Sequence, residues 1–552
     1  MNDRRYMRRA RFETRLTEAM IDHFTGSGLW RNRVITDYVD EFAARSPDKL
    51  AIIDQRGSCT YAELQQLSLR CAAGFLRLGL APQDVVSLQL PNSREWVILH
   101  LAATRIGAIT NPLVPMYRER ELDFMLRLAE ARLLVVPDRF RNHDHAAMAL
   151  RLRKMVPGVE QVMVIGEAVP DGCLAWHDFI ERPWERELDL SQLATLRPAP
   201  NEVTELIYTS GTTGEPKGVL HTSNTIVTPQ IALGEVLRLT GDDVLHVAST
   251  FGHQTGFLGG ARLPLQLGAT VVYQDVWDPE AFLAAIGRHR ITISNGGPTY
   301  LQDMMRAPGL DQHDLSSFRI FRCGGAPIPR PLVREAKARL PHLSVHSGWG
   351  QSENAVVTMT RPGDPEAKIV ETDGQVQPGM QVRVVDAANQ SIAMGTEGRL
   401  QCRGAFLFVG YARRPDLTAQ SFVEDWFDTG DLATQDADGF VRITGRTKDI
   451  IIRGGENIPV SYVENTLYEN PSVQDVAVVA MPDERLGERA CAFVVLRPNA
   501  ELTMATMQAH MQRSAVGKQY WPERLEIITE MPRAANGKIR KADLRARLAS
   551  EG

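Results

Sequence analysis

Thr209-Ser-Gly-Thr-Thr-Gly-Glu-Pro-Lys-Gly218 decides how this chain reads. Directly after the apolar run Leu206 to Tyr208 it packs four hydroxyls, three glycines and one lysine into ten residues. Glycines let backbone amides turn inward, hydroxyls add donors and an ammonium supplies countercharge, so the composition suits an anion cradle for a polyphosphate. Clusters of Gly, Ser and Thr are also ordinary surface turns. Pro216 before Lys217 and Gly218 after it exclude the G-x-x-x-x-G-K-[ST] phosphate loop.

On either side, strand and helix patterns alternate. Leu50 to Ile53 reads as a strand, and Thr60 with Glu63 forms a capping box that opens a helix. Leu64, Leu67, Cys71, Phe75 and Leu78 then share one helical face. Val85 to Leu90, Ser93 to Ile106 and Gly107 to Pro112 follow as strand, helix and strand. The alternation resumes at Ile207 to Thr209, Thr270 to Tyr273, Ile291 to Ser294 and Ile320 to Cys323, each strand ending in a loop rich in Gly, Ser or Thr. This grammar predicts an α/β fold of layered, largely parallel βαβ sheets, with ligand sites beyond the strand ends.

From about Gly374 the strands shorten and alternate (Val382 to Val385, Arg399 to Arg403, Phe440 to Thr444), as in a small β-rich subdomain. The residues from 448 on read strand, helix, strand, strand, helix, strand, loop, helix, which suits one small α+β domain. The predicted organisation is an arm over 1–34, a large domain over 35–447 and a small mobile domain over 448–552. Arg4, Arg5, Arg8, Arg9, Arg11 and Arg15 make the first segment look like a solvated arm, and Asp3 and Glu13 argue against a targeting peptide.

Across 552 residues, 62 Lys and Arg against 67 Asp and Glu give a formal charge of −5, and 43 % of residues are hydrophobic. No basic field points to nucleic acid. The most apolar stretch, Trp96 to Ala108, contains His100 and Arg105 and is too short to span a bilayer, so no integral membrane association is expected. Six scattered cysteines without a C-x-x-C pair fit a reducing cytoplasm better than a disulfide framework or a zinc site.

The ten-residue string resembles the signature of the adenylate-forming superfamily, which includes acyl-CoA synthetases, and further motifs appear in that family's order. Gly324-Gly-Ala-Pro327 resembles the adenine-side loop, Trp349-Gly-Gln-Ser-Glu353 the Y-G-x-T-E motif and Asp428-Thr-Gly-Asp431 the ribose-binding turn. Gly445-Arg-Thr-Lys-Asp449 resembles the hinge, Arg453-Gly-Gly-Glu-Asn457 the loop after it, and Pro532-Arg-Ala-Ala-Asn-Gly-Lys538 the tail motif P-x-x-x-x-G-K. The resemblance covers about residues 35 to 548. Trp349 stands where tyrosine is usual and Ser352 where threonine is usual.

The resemblance implies ATP and Mg2+ as partners, with coenzyme A as co-substrate. Thr209, Ser210, Gly211, Thr212, Thr213, Gly214 and Lys217 would hold the phosphates, and Gly325, Ala326, Pro327, Gly348, Trp349, Gly350, Gln351 and Ser352 the nucleotide. Asp431 and Arg446 would take the ribose, and Glu353 with Thr209 the metal. Lys538 would bridge the two anions that meet in the first step, with His253 and Arg446 assisting; Lys448 would be the hinge, and Gly454 and Gly455 would admit pantetheine. His253, Gln254, Phe257, Asn295, Gly297, Gly324 and Asn354 would contact the acid.

The implied reaction takes R-COO⁻ and ATP to acyl-AMP and pyrophosphate, then acyl-AMP and CoA to acyl-CoA and AMP. Amino-acid-activating relatives carry an aspartate in the segment matching Phe251 to Phe257, and here there is none. Gly252-His-Gln-Thr-Gly-Phe-Leu258 and Asp483-Glu-Arg-Leu-Gly-Glu488 are most similar to short- and medium-chain fatty acid and cyclohexanecarboxylate CoA ligases. The expected substrate is a short- or medium-chain unsubstituted aliphatic or alicyclic acid, and the expected assembly a monomer or homodimer. The rivals are an acyl-AMP ligase loading a carrier protein and a non-catalytic nucleotide-binding protein.

Overall fold

The computed structural model describes residues 11–187, 191–209, 216–447, 449, 451–453, 456–458, 460–483, 485–514, 516–534 and 537–550. Thr60 opens the helix Tyr61–Arg77 as its spacing to Glu63 predicts: Thr60 Oγ1 accepts from Glu63 N at 3.2 Å, and Glu63 Oε2 from Thr60 N at 2.8 Å. Leu64, Cys71 and Phe75 are buried, with Leu67 and Leu78 packed against the same core. Ser93 caps the helix Arg94–Arg105 by accepting from Trp96 N. Glu95 to Arg105 are all buried. The apolar stretch is therefore a helix enclosed by protein on every side. Among the described residues no helix is long and apolar enough to cross a membrane.

These two helices lie between two large sheets, because one core joins Val86 and Leu88 of one sheet to Ile52, Leu245 and Val247 of the other. The first sheet has eight strands: Gly410–Tyr411, Lys217–Thr222, Val203–Thr209, Ile109–Pro112, Val85–Leu88, Ala131–Pro137, Gln161–Ile165 and Leu174–Ala175, parallel from the third onward. The second has nine. Its centre runs Ser344–Trp349, Ile320–Gly324, Ile293–Gly296, Val244–Val247, Thr270–Val272 and Leu50–Asp54, all parallel, with antiparallel strands at both edges. A third, antiparallel sheet of five strands holds Met380–Val385, Gly398–Gly404 and Trp426–Gln435, with Val441–Arg446 pairing to the last.

Two local expectations are corrected. Residues 11–34 are packed where a solvated arm was expected: Phe12 and Trp30 are buried, Trp30 Nε1 donates to Ala405 O at 3.0 Å, and Arg11 pairs with Asp84 at 3.2 Å. Burying two large rings outweighs the cost of ordering the arginines beside them. After residue 448 the single expected strand is a pair, Ile451–Arg453 and Glu456–Ile458, hydrogen-bonded antiparallel. The strands Val473–Asp483, Gly487–Leu496 and Arg524–Ile527 complete that sheet. All six cysteines are free thiols.

The C-terminal sheet and its helices meet the large part through polar groups. Arg533 Nη1 donates to Thr299 Oγ1 at 3.1 Å, Gln302 Nε2 to Gln474 O at 3.4 Å, and Arg334 pairs with Glu469 at 3.1 Å.

Asp373 ties the β-rich sheet to the helix Arg330–Arg339, accepting from Arg330 Nη2 on both oxygens (3.0 and 3.1 Å) and from Ile443 N at 2.8 Å. Asp373→Ala leaves a buried guanidinium without its partner and should cost about 3–5 kcal/mol. A lowered urea midpoint with unchanged far-UV circular dichroism in buffer is the expected measurement.

Candidate active site

Parallel strands end together in the nine-stranded sheet, and their carboxyl ends build one cleft. Ser249 follows Val244–Val247, Gly297 follows Ile293–Gly296, Gly324 and Gly325 close Ile320–Gly324, and Gly348 and Gly350 stand at the end of Ser344–Trp349. Gly325 has φ +85°, a conformation that side chains disfavour. A Cβ on Gly350 would lie 1.6 Å from Ala355 O, so the chain can make this close turn only with glycine. The helix Ser223–Val236 and the segment His253 to Gly259 form the opposite wall. Lys538 enters from the C-terminal unit.

Thr209 is in register with Lys217 on antiparallel strands, so the anion-cradle string bridges two paired strands. Ser210, Gly211, Thr212, Thr213, Gly214, Lys448, Gly454 and Gly455 lie outside the described residues. Lys217 Nζ sits 4.8 Å from the centroid of the Tyr411 ring, and the Tyr411 hydroxyl donates to Glu353 Oε1 at 2.9 Å. Burial, with the Glu353 charge, pushes that hydroxyl far above its ordinary range and keeps it a donor. Glu353 Oε2 takes no hydrogen bond among the described residues. No group of three or more His, Cys, Asp or Glu that could hold a metal ion is present among them. One carboxylate with a nearby hydroxyl fits magnesium, which draws its remaining oxygens from water and phosphate.

Asp431 is the junction of the nucleotide-side motifs. Its Oδ2 accepts from Trp349 Nε1 at 2.7 Å and from Gln351 Nε2 at 3.0 Å, while Oδ1 pairs with Arg446 Nε at 2.8 Å. The Asp431 charge holds the Arg446 guanidinium above its ordinary value. Trp349 thus does more than occupy the place of a tyrosine: its indole N–H anchors the acid of a motif 82 residues away.

Burial, and after it the Arg446 charge, draw Lys538 down to about 8 against the opposing pull of Asp431 and Glu353. His253 is driven down to about 3, first by burial and then by Lys538. It is a neutral imidazole whose Nε2 has no hydrogen-bond partner among the described residues.

Gln254, Gly297 and Gly324 join His253 on the cleft wall, together with Gly325, Gly348, Gly350, Gln351 and Ser352. Phe257 does not: it is fully buried, 4.9 Å from His100 and 5.2 Å from Trp96 between ring centroids. Asn354 acts within its turn, accepting from Gln351 N at 2.6 Å. Asn295 is buried one strand in, and Ala326 and Pro327 lie beyond the lining. The cleft also contains residues that the motifs did not single out, among them Gln230, Ser249 and Arg322. Arg322 carried a readable signal, a charge between Phe321 and Cys323 inside an otherwise apolar strand.

A family model described as AMP-binding enzyme matches residues 39–412, and a second, described as AMP-binding enzyme C-terminal domain, matches 462–538. A medium-chain fatty-acid–CoA ligase of Escherichia coli (strain K12) is 36 % identical over 524 residues, 94 % of this chain and 91 % of that protein. A 2,3-dihydroxybenzoate-AMP ligase of Bacillus subtilis (strain 168) is 30 % identical, covering 96 % of each chain. Among solved structures, an anthranilate CoA ligase in complex with anthranoyl-AMP superposes with a TM-score of 0.86 at 25 % identity, over 94 % of this chain and 98 % of that one.

Trp349→Phe keeps a ring in place but removes a donor to a buried carboxylate. It should cost about 1–3 kcal/mol, read as a fall in the thermal unfolding temperature, with Trp349→His recovering part of the loss.

Proposed function

We propose a reaction course from one premise: the chain belongs to the AMP-binding enzyme family and is an AMP-forming acid–thiol ligase. The acid is a short- or medium-chain carboxylic acid with an aliphatic or alicyclic skeleton, in keeping with the medium-chain relative and with the absence of an aspartate between Phe251 and Phe257. The observation that carries this reading is the buried Lys538 ammonium, held beside Arg446, Asp431 and Glu353 in a cleft at the ends of parallel strands.

Attack of a carboxylate oxygen on the α-phosphorus of ATP brings two anions together. A flexible ammonium that reaches both oxygens offsets their repulsion, most effectively where water is excluded. The phosphorus–oxygen bond to pyrophosphate breaks and acyl-AMP forms. Lys217 and Thr209, with the loop between them, would hold the departing phosphates. Glu353 and Thr209 would hold magnesium, which neutralises phosphate charge. His253, neutral and without a partner on Nε2 among the described residues, orients the reacting carboxylate. Asp431 and Arg446 keep the ribose in place.

In the second step the CoA thiol, losing its proton, attacks the acyl carbonyl and AMP leaves. The polar docking contacts of the C-terminal unit support its rotation about Lys448, so that the pair Ile451–Arg453 and Glu456–Ile458 replaces the tail loop. Gly454 and Gly455 would there admit pantetheine. The 2,3-dihydroxybenzoate-AMP ligase relative favours a second reading, in which the acyl group goes to a carrier protein. Acyl-CoA formed from purified chain, acid, ATP, magnesium and CoA alone supports the ligase; thioester formed only on a carrier supports the other.

Lys538→Ala should lower pyrophosphate release by roughly a hundredfold or more while leaving CoA transfer from supplied acyl-AMP nearly intact. Equal loss in both half-reactions would show that Lys538 does not act in adenylation alone. The Lys538 charge also sets a pH profile. With its value near 8 the cation is complete at lower pH and lost as pH rises, so kcat/KM for the acid in pyrophosphate release should fall above about pH 8, and Lys538→Arg should flatten that limb.

A further inference from the structure

Arg322, Asn295 and His346 occupy matched positions on three adjacent parallel strands. Phe321, Cys323 and Val345 pack into the helical layer on one face, so the three polar residues stand on the other, with Ile293 and Ile320. They are only 5, 0 and 1 % exposed, respectively. Such a row belongs in an apolar core unless something meets it. Among the described residues, Arg322 Nε, both Asn295 amide atoms and His346 Nε2 have no hydrogen-bond partner.

Arg322 is the decisive member, since it lines the cleft itself. Other buried arginines have their counterions: Arg330 pairs with Asp373 at 3.0 Å, Arg105 with Asp40 at 2.6 Å, and Arg262 feels Glu205. Arg322 makes no ion pair with a described residue, and burial draws its guanidinium down to about 10. An alkyl chain drawn over it would strip the remaining water from an uncompensated charge. A carboxylate would instead meet a planar fork of donors of matching geometry.

Resting on the reading of this cleft as the acid site, we propose that the acid carries a second carboxylate, held by Arg322 with Asn295 beside it, while the first reacts next to Lys538. The substrate class is then a dicarboxylic acid activated at one end. This departs from the unsubstituted skeleton expected from the sequence.

The test pairs each α,ω-dicarboxylic acid from C4 to C10 with the monocarboxylic acid of equal carbon number, and measures pyrophosphate release by the wild-type enzyme, Arg322→Met and Arg322→Lys. The expected result is a wild-type kcat/KM at least tenfold higher for the dicarboxylate at the best length. Arg322→Met should lose or reverse that preference, and Arg322→Lys should keep part of it. Wild-type preference for the monocarboxylate at every length overturns the proposal and needs no variant to fold. A raised KM for ATP with equal loss on all acids in Arg322→Met also overturns it, by placing the guanidinium on the nucleotide. Absence of AMP with every acid, dicarboxylic ones included, rejects the ligase reading itself and this proposal with it.

Discussion

A buried ammonium needs anions near it, and that requirement organises the cleft. Lys538 is taken out of water beside another cation, Arg446; Asp431 and Glu353 counter both, and Asp449 counters Arg446 as well. Asp431 is already engaged by Trp349, Gln351 and Arg446, and Glu353 by Tyr411. Arg322 adds a further cation to the same cleft and makes no ion pair with a described residue. Carboxylate and phosphate groups are what such a gathering of cations attracts.

The fold supplies the rigidity that this balance demands. The glycine-rich turns of the cleft sit at or just past the ends of parallel strands, and those strands are fixed by a core shared between two sheets. The enclosed helix Arg94–Arg105 makes that sharing possible, because both sheets pack on it. Lys538 instead arrives on the C-terminal unit, whose described contacts with the rest include polar ones at Thr299, Gln302 and Arg334.

Much of this was legible in the sequence where the determinants are local. The capping box at Thr60 and Glu63, the helix from Ser93 and the strands before each glycine-rich loop depend on neighbouring residues, and they form as read. Lys538, Asp431 and Glu353 stand in three motifs far apart in the sequence, and the fold brings their charges within reach of one another. What escaped was non-local. The bond from Trp349 to Asp431, the burial of Trp30 under Ala405 and the matched positions of Arg322 and Asn295 join distant parts of the chain, and only the folded backbone brings them together. Phe257 was misplaced for the same reason, since a helix that borders a cleft also has a face turned to the core.

The ion pair between Arg334 and Glu469 joins two half-exposed side chains at the docking surface, within reach of dissolved ions. Such pairs add little to folding stability and weaken as salt screens them. Concentrated salt therefore loosens this contact while leaving the apolar cores on either side of it untouched, so the seam at Arg334 answers to the surrounding solution in a way the buried pair of Arg330 and Asp373 does not.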